Sequence, residues 1–162
     1  MLSINQRFPA GNKYDDRLIL PFERRQKSRL RVLLESGVEA ALILERGVVM
    51  RGGDLLQAND GRIVQVVAAD ELVLHVSAEN PRELARAAYH LGNRHVPLQV
   101  GDGWLRLEQD HVLKEMLLGL GMTVLEQSAS FEPEAGAYGG GHNHHHDDGL
   151  LVRQVLRSKR HA

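Results

Sequence analysis

Residues 139–149 read GGGHNHHHDDG, which places His142, His144, His145 and His146 within five consecutive positions and Asp147 and Asp148 directly after them. Imidazole nitrogens and carboxylate oxygens are metal ligands, and a short tract of this composition is a metal-binding signature. A glycine-rich backbone can turn neighbouring imidazoles toward one ion, yet ordering it costs entropy, so the ion is held loosely and exchanges easily. Protons compete for the same nitrogens as pH falls through about 6.5. A purification tag is an uninterrupted run, usually at a terminus. This tract is broken by Asn143 and is followed by further chain beyond Gly149.

The other histidines stand apart from one another. His95, in LGNRHVPLQ, lies between a helix end and the next strand. One imidazole is not a site: it is either an ordinary loop residue or, near the two-fold axis of a symmetric dimer, half of an intersubunit site. His111 opens a second helix, where a neutral imidazole suits the helix dipole better than a cation does. It stands four residues from Glu115 and off the apolar stripe, either as a ligand or as a plain surface residue. His75, on the strand face opposite Leu74 and Val76, and His90, beside the helix stripe, read as structural, while His161 has no local support. With no cysteine in the chain, disulfides, thiolate metal sites and cysteine nucleophiles are excluded together. Any metal must be held by nitrogen and oxygen, which suits nickel, copper(II) and zinc.

Composition narrows the classes further. Apolar residues make up 43% of 162 positions, enough for one ordinary domain or two small ones. Twenty basic side chains oppose 21 acidic ones, so no general attraction to nucleic acid or to an anionic membrane is expected. Neither a long apolar run nor a signal-like start is present, and a cytoplasmic location is expected. The metalloprotease, nucleophile-elbow and phosphate-loop motifs are all absent. A base-stacking RNA platform needs paired aromatics in its central strands, where this chain offers only Trp104.

These residues must be positioned by two kinds of structure. Residues 28–35, 39–45 and 62–67 are short apolar segments bounded by glycine turns, and together they predict a small β-sandwich or barrel. In the first of them Leu30, Val32 and Leu34 alternate with Arg29 and Arg31. The basic cluster Arg24, Arg25, Lys27, Arg29 and Arg31 accordingly reads as a solvated strand face. Beyond residue 70 the periodicity changes. A strand over 71–78 precedes a helix capped by Asn80, with Pro81 at its first position, Leu84, Ala88 and Leu91 along one stripe, and Gly92 as its terminal cap. A hairpin of 96–100 and 104–109 turns at Gly101-Asp102-Gly103. A helix from Asp110 then buries Val112, Leu113, Met116, Leu117 and Leu120, and a strand over 122–128 closes the unit. The order β-α-β-β-α-β is ferredoxin-like. The expected organisation is therefore α+β: a β-rich domain over 1–70, a ferredoxin-like domain over 71–135, and a flexible histidine-containing tail over 136–162.

Several segments carry a family resemblance when taken in order. LGNRHVPLQ, DHVLKEML and FEPEAGAY, followed by the histidine tract, resemble the UreE-type urease accessory proteins, which are nickel metallochaperones. LPFERRQKSRLRV and LLQANDGRIVQVVAADE resemble the N-terminal domain of the same family, so that the likeness spans residues 17–146. The resemblance implies a β-rich domain that binds other urease assembly proteins and a ferredoxin-like domain that dimerises head to head. It also implies that His95 binds nickel at the dimer interface. His111 matches a peripheral metal site of some members, although certain relatives carry another histidine where this chain has Gln109. Leu150 to Ala162 lie outside the resemblance.

The expectation is a cytoplasmic homodimer, not an enzyme, that delivers Ni²⁺ during urease assembly and can also take Zn²⁺ or Cu²⁺. Its ligands would be His95, His111, His142, His144, His145 and His146. Its partners would be the urease apoprotein and accessory proteins including a GTPase, with neither nucleic acid nor membrane. A general zinc, copper or nickel buffer and a metal-free interaction adaptor are the alternatives.

Overall fold

The structure, a computed structural model, describes residues 1–136. Residues 2–68 form a six-stranded mixed sheet built from β1 (Leu2–Phe8), β2 (Asp16–Leu20), β3 (Arg29–Leu33), β4 (Glu39–Ile43), β5 (Leu55–Ala58) and β6 (Ile63–Ala68), in the order β2-β6-β5-β1-β4-β3. The sheet curls almost into a barrel. The Glu35 N–H donates to the Arg17 carbonyl at 2.9 Å, linking the two outer strands, and the Ser36 hydroxyl donates to buried Asp16. Ile4, Leu18, Leu42, Leu56 and Val66 fill the interior.

Three of these strands, and the short helix α1 (Phe22–Arg25), depart from the sequence expectation, which contained no β1, β2, β5 or α1. β1 carries Asn5, Gln6 and Arg7 in its middle and buries only Ile4 fully, so little alternation marks it. It is a strand because β4 pairs with it in parallel on one side and β5 antiparallel on the other. Pairing of that kind is a property of the sheet and not of the segment.

Residues 70–130 form the second layer pair: β7 (Asp70–Ser77), α2 (Pro81–Asn93), β8 (Gln99–Val100), β9 (Leu105–Glu108), α3 (His111–Gly119) and β10 (Thr123–Ser130). The strand order β10-β7-β9-β8 is ferredoxin-like, as the β-α-β-β-α-β pattern requires. Both helices begin where the caps place them: Asn80 accepts from the Glu83 N–H and Asp110 from the Leu113 N–H, each at 2.9 Å. Leu91, Leu113 and Leu117 pack onto Leu74, Val76 and Leu107. Two expectations are corrected. Val112 is 64% exposed, because at the second position of α3 it points away from the sheet. The strand expected over 96–100 reduces to Gln99–Val100, its earlier part containing Pro97, which has no N–H to give.

The largest correction concerns Arg25, which belongs to no solvated strand face: it is fully buried in α1 while Arg29 and Arg31 are exposed on β3. Its Nε–H donates to the Leu20 carbonyl and an Nη1–H to the Met50 carbonyl, at 3.1 and 3.2 Å. The guanidinium also reaches Glu132 at 2.5 Å and the carbonyl of Phe131, both of which follow β10. Beside it Phe22 and Phe131 meet edge to face at 5.5 Å and pack with Val73 into a small core between the two sheets. The Glu71 carboxylate accepts from the Phe22 N–H at 2.8 Å and closes the same seam. The two sheets are thus tied through one buried cation.

The β8–β9 turn yields a test. A Cβ on Gly101 would lie 2.0 Å from Trp104 Cε2, so the indole could not keep its place over His75, with which it stacks at 5.1 Å. Gly101→Ala should lower stability by about 1–3 kcal/mol, as overpacking does. Because Trp104 is the only tryptophan in the chain, urea unfolding followed by its emission reports both effects. An unchanged midpoint and spectrum would refute the packing argument.

Candidate metal-binding site

His95 occupies the one left-handed non-glycine position among the described residues, with φ 56°. The cause is the way α2 ends. The helix runs through Gly92 to Asn93, beyond the cap expected at Gly92, and Arg94 is its terminal half-helical residue. The His95 N–H then donates to the Gly92 carbonyl and the Val96 N–H to the Leu91 carbonyl, at 3.0 and 3.4 Å. That is a Schellman motif, with Val96 packing near Leu91 as its apolar partner. Glycine usually takes the left-handed position there, and histidine tolerates it at a cost. The motif holds an exposed imidazole at the helix terminus, in a fixed backbone conformation.

That imidazole borders two depressions. On one side is a cleft of about 640 Å³ between the two sheets, lined by Phe22, Val49 and Arg51 from the first and by Pro97, Glu134 and Gly136 from the second. On the other is a smaller groove of about 280 Å³ in which His95 meets Glu108, Asp110 and Leu113. Burial holds the Glu108 carboxyl above the usual carboxylate range, with the nearby charges of Glu71 and Glu23 adding to the effect. The groove wall beside His95 therefore retains a proton more readily than an exposed glutamate would.

His111 is the first residue of α3 and is exposed. It faces the charge of Glu126, which an ion pair with Lys114 at 3.1 Å holds below its ordinary range, aided by Gln109 and His111. It does not line either depression beside His95. Among the described residues no three histidine, aspartate or glutamate side chains converge as a ligand set. Among the described residues His95 stands alone as an exposed imidazole beside these depressions, and a metal held there would need its other ligands from elsewhere. His142, His144, His145 and His146 lie outside the described residues. Their sequence position still matters: Gly136 lines the His95 cleft, and His142 follows it by six positions, a contour of at most about 20 Å.

His75 packs as a structural residue. It is half-buried on β7, stacked on Trp104, with Arg106 3.4 Å from its Nδ1. The Arg106 guanidinium in turn lies 4.6 Å from the Trp104 ring centre, a cation–π contact. Desolvation, then the Arg106 charge, pulls the His75 imidazole below its ordinary value of 6.5.

Arg51, which lines the cleft, carried no signal in the sequence, and Arg25 and Glu132 stood there only as members of a basic cluster and of the FEPEAGAY segment, with nothing to say that they meet. The left-handed turn at His95 did carry one: Leu91 and Val96 have the apolar pairing of a Schellman motif once the helix is extended past Gly92.

Comparison with known proteins is consistent along the chain. The family description "UreE urease accessory protein, N-terminal domain" matches residues 4–69, and "UreE urease accessory protein, C-terminal domain" matches residues 71–161. A relative from Nitrosospira multiformis, named urease accessory protein UreE, is 54% identical over 144 residues, covering 88% of this chain and 82% of its own. The protein of that name from Cupriavidus necator is 60% identical over 131 residues, covering 81% and 68%. The one from Ralstonia nicotianae is 53% identical over 172 residues, covering 99% and 82%.

Two outcomes follow from the geometry. Replacing His95 by glycine should stabilise the metal-free protein by about 1 kcal/mol, because glycine relieves the left-handed strain, whereas His95→Ala should not. Denaturant midpoints of the two variants decide this, and equal midpoints would count against the strain. His75 supplies a pH dependence. Its folded form resists protonation, so the unfolded chain takes up the proton first as pH falls. Its stabilisation is present above pH 6.5 and is lost as pH falls from there through the lower folded-state value. His75→Gln should flatten the decline in unfolding free energy over that window, and an unchanged slope would assign the dependence to other groups.

Proposed function

Because the chain belongs to the UreE urease accessory protein family, we propose that it serves urease maturation as a nickel metallochaperone. It carries Ni²⁺ as cargo to the urease apoprotein and catalyses nothing itself. The observation that carries this reading is the placement of His95: exposed, set by a strained turn, and lining the cleft where the chain leads toward the histidine tract. One fixed imidazole, with four more in a tract that begins six positions after Gly136, fits a carrier that must accept and then surrender an ion.

Several physical arguments support the cargo role. A structural site closes around its metal to retain it. A single fixed imidazole cannot do so, and its remaining ligands must come from outside the described residues. In a head-to-head dimer the partner subunit supplies a second copy of His95, and the tract of His142, His144, His145 and His146 completes or replenishes the sphere. His111 is a secondary peripheral ligand. The absence of cysteine leaves an all-nitrogen and oxygen set, which accepts Ni²⁺ and also Zn²⁺ or Cu²⁺. Selectivity then comes from docking to urease and its accessory proteins, including a GTPase, in the cytoplasm. No described helix is long and apolar enough to cross a membrane.

Nickel titration by calorimetry tests this reading, using the full chain, His95→Ala, and a full chain whose four tract histidines are replaced by alanine. One tight ion per dimer should disappear in His95→Ala, with at least about a tenfold loss in affinity, and the tract replacement should weaken or remove further binding. If His95→Ala binds as the full chain does while tract replacement abolishes all binding, the protein is a tail-based metal buffer. If neither change affects urease activation, the adaptor reading replaces this one.

A further inference from the structure

We propose that the outer face of β3 and β4 is a docking surface for an acidic protein segment, one that seats a carboxylate between Arg24 and Arg31 and an apolar side chain against Leu33. The inference rests on the preceding reading, in which the chain docks to urease and its accessory proteins, and it gives that docking a face and a charge.

The strand register defines this face. Arg29 stands opposite Ile43, Arg31 opposite Ala41 and Leu33 opposite Glu39, while Val32 and Leu42 turn into the barrel interior. Alternation therefore presents Arg29, Arg31 and Leu33 outward along β3, each about 7 Å from the next. Glu39 is the one carboxylate that these two strands set against the cations. Arg7, Arg17, Arg25, Arg62 and Arg86 each pair with a carboxylate, whereas Arg24, Arg29 and Arg31 form no ion pair among the described residues. Leu33 is 62% exposed and Ile43 43%, so apolar surface is interleaved with the positive charge. A depression of about 350 Å³ opens there, with Arg24, Arg31 and Glu39 in its charged lining and Val32 and Leu33 in its apolar lining.

Arg24 is already set for an incoming carboxylate. Its Nη2 donates to the Arg31 carbonyl at 2.9 Å, which holds the guanidinium over the edge of β3. A planar fork fixed in advance loses less freedom when it binds. The same contact decides the mode of binding. β3 is an outer strand of its sheet, yet its edge is taken at Arg31 by Arg24 and, just beyond the strand, by the Glu35 N–H on the Arg17 carbonyl. The partner accordingly lies across the face and is recognised by side chains, without adding a strand.

Two other occupants fit less well. A second copy would set the same cations against themselves across a two-fold axis. A nucleic acid would find no aromatic side chain on either strand to stack on, and phosphates would leave Leu33 and Ile43 in water. An acidic protein segment satisfies both kinds of residue. Arginine set among apolar side chains is also the composition of an interface centre.

The test is biolayer interferometry of the full chain against immobilised urease apoprotein and, separately, the accessory GTPase, at low and at physiological salt. Arg29→Glu combined with Arg31→Glu should weaken association with at least one of them by about tenfold or more, and what remains should depend less on salt, because the lost attraction is ionic. Leu33→Ser should weaken the same association by about threefold or more with the salt dependence kept, because the lost term is apolar. Amide exchange at Leu42 and Leu56 confirms that each variant keeps its core, and nickel calorimetry should return the wild-type affinity. A parallel loss of nickel affinity, or variants that bind both proteins as the wild-type chain does, overturns the proposal. So does a loss confined to binding of a duplex DNA, which would make the face one for nucleic acid. If the wild-type chain takes up nickel but binds neither protein, the docking reading itself fails and the face proposal falls with it.

Discussion

A buried guanidinium is the constraint on which the arrangement depends. Removing a cation from water costs several kcal/mol, and the cost is met only when its donors are satisfied with good geometry. Arg25 meets that condition with carbonyls from β2's end, the Met50 loop and Phe131, together with the Glu132 carboxylate. These acceptors come from three separated stretches of chain, so they must converge for any of them to serve. The condition that keeps Arg25 tolerable in the interior also holds the two sheets together and gives the segment after β10 its path. Phe22 and Phe131 add apolar contact around the cation, and the 5.6 Å separation of the guanidinium from the Phe22 ring adds a cation–π contribution.

The imidazole proposed as the nickel ligand inherits rigidity of this kind from its own turn. His95 is fixed by hydrogen bonds to the end of α2 and by the anchoring of Val96 against Leu91. Its φ is imposed by those surrounding contacts and is not one that a histidine backbone takes when relaxed. In the proposed carrier role such asymmetry would be useful: a ligand that does not move would give an ion an address, and ligands contributed from outside could be exchanged at hand-over. Were every donor equally fixed among the described residues, release would require the fold itself to open.

The ferredoxin-like half was legible because its signals are local. Asn80-Pro81 and Asp110 mark helix starts by side-chain chemistry, Leu84, Ala88 and Leu91 mark a face by spacing, and Gly101-Asp102-Gly103 marks a hairpin by backbone freedom. The β-rich half was legible only where apolar and polar residues alternate, as in β3. β1 escaped because its polar middle becomes a strand only between β4 and β5. Arg25 escaped because the reasoning that places an arginine outside is right whenever no set of acceptors is waiting for it, and here the acceptors arrive from residues 50 and 131–132. The helix cap was misplaced by two residues for a similar reason. Gly92 is an apt local cap, but the pairing of Leu91 with Val96 carries the helix past it.

The amino-acid sequence by itself determined the fold class of both halves and the family, because residue types, caps and motif order are written along the chain and need no partner to be read. It also singled out His95, although as a loop histidine whose setting stayed open until the family resemblance supplied one. Only the tertiary structure decided that His95 sits in a left-handed turn, that it borders a cleft between two sheets, and that the chain leading to the histidine tract is strapped into the same cleft. Those facts depend on long-range convergence around Arg25, and the burial of a charge is settled by everything that surrounds it at once.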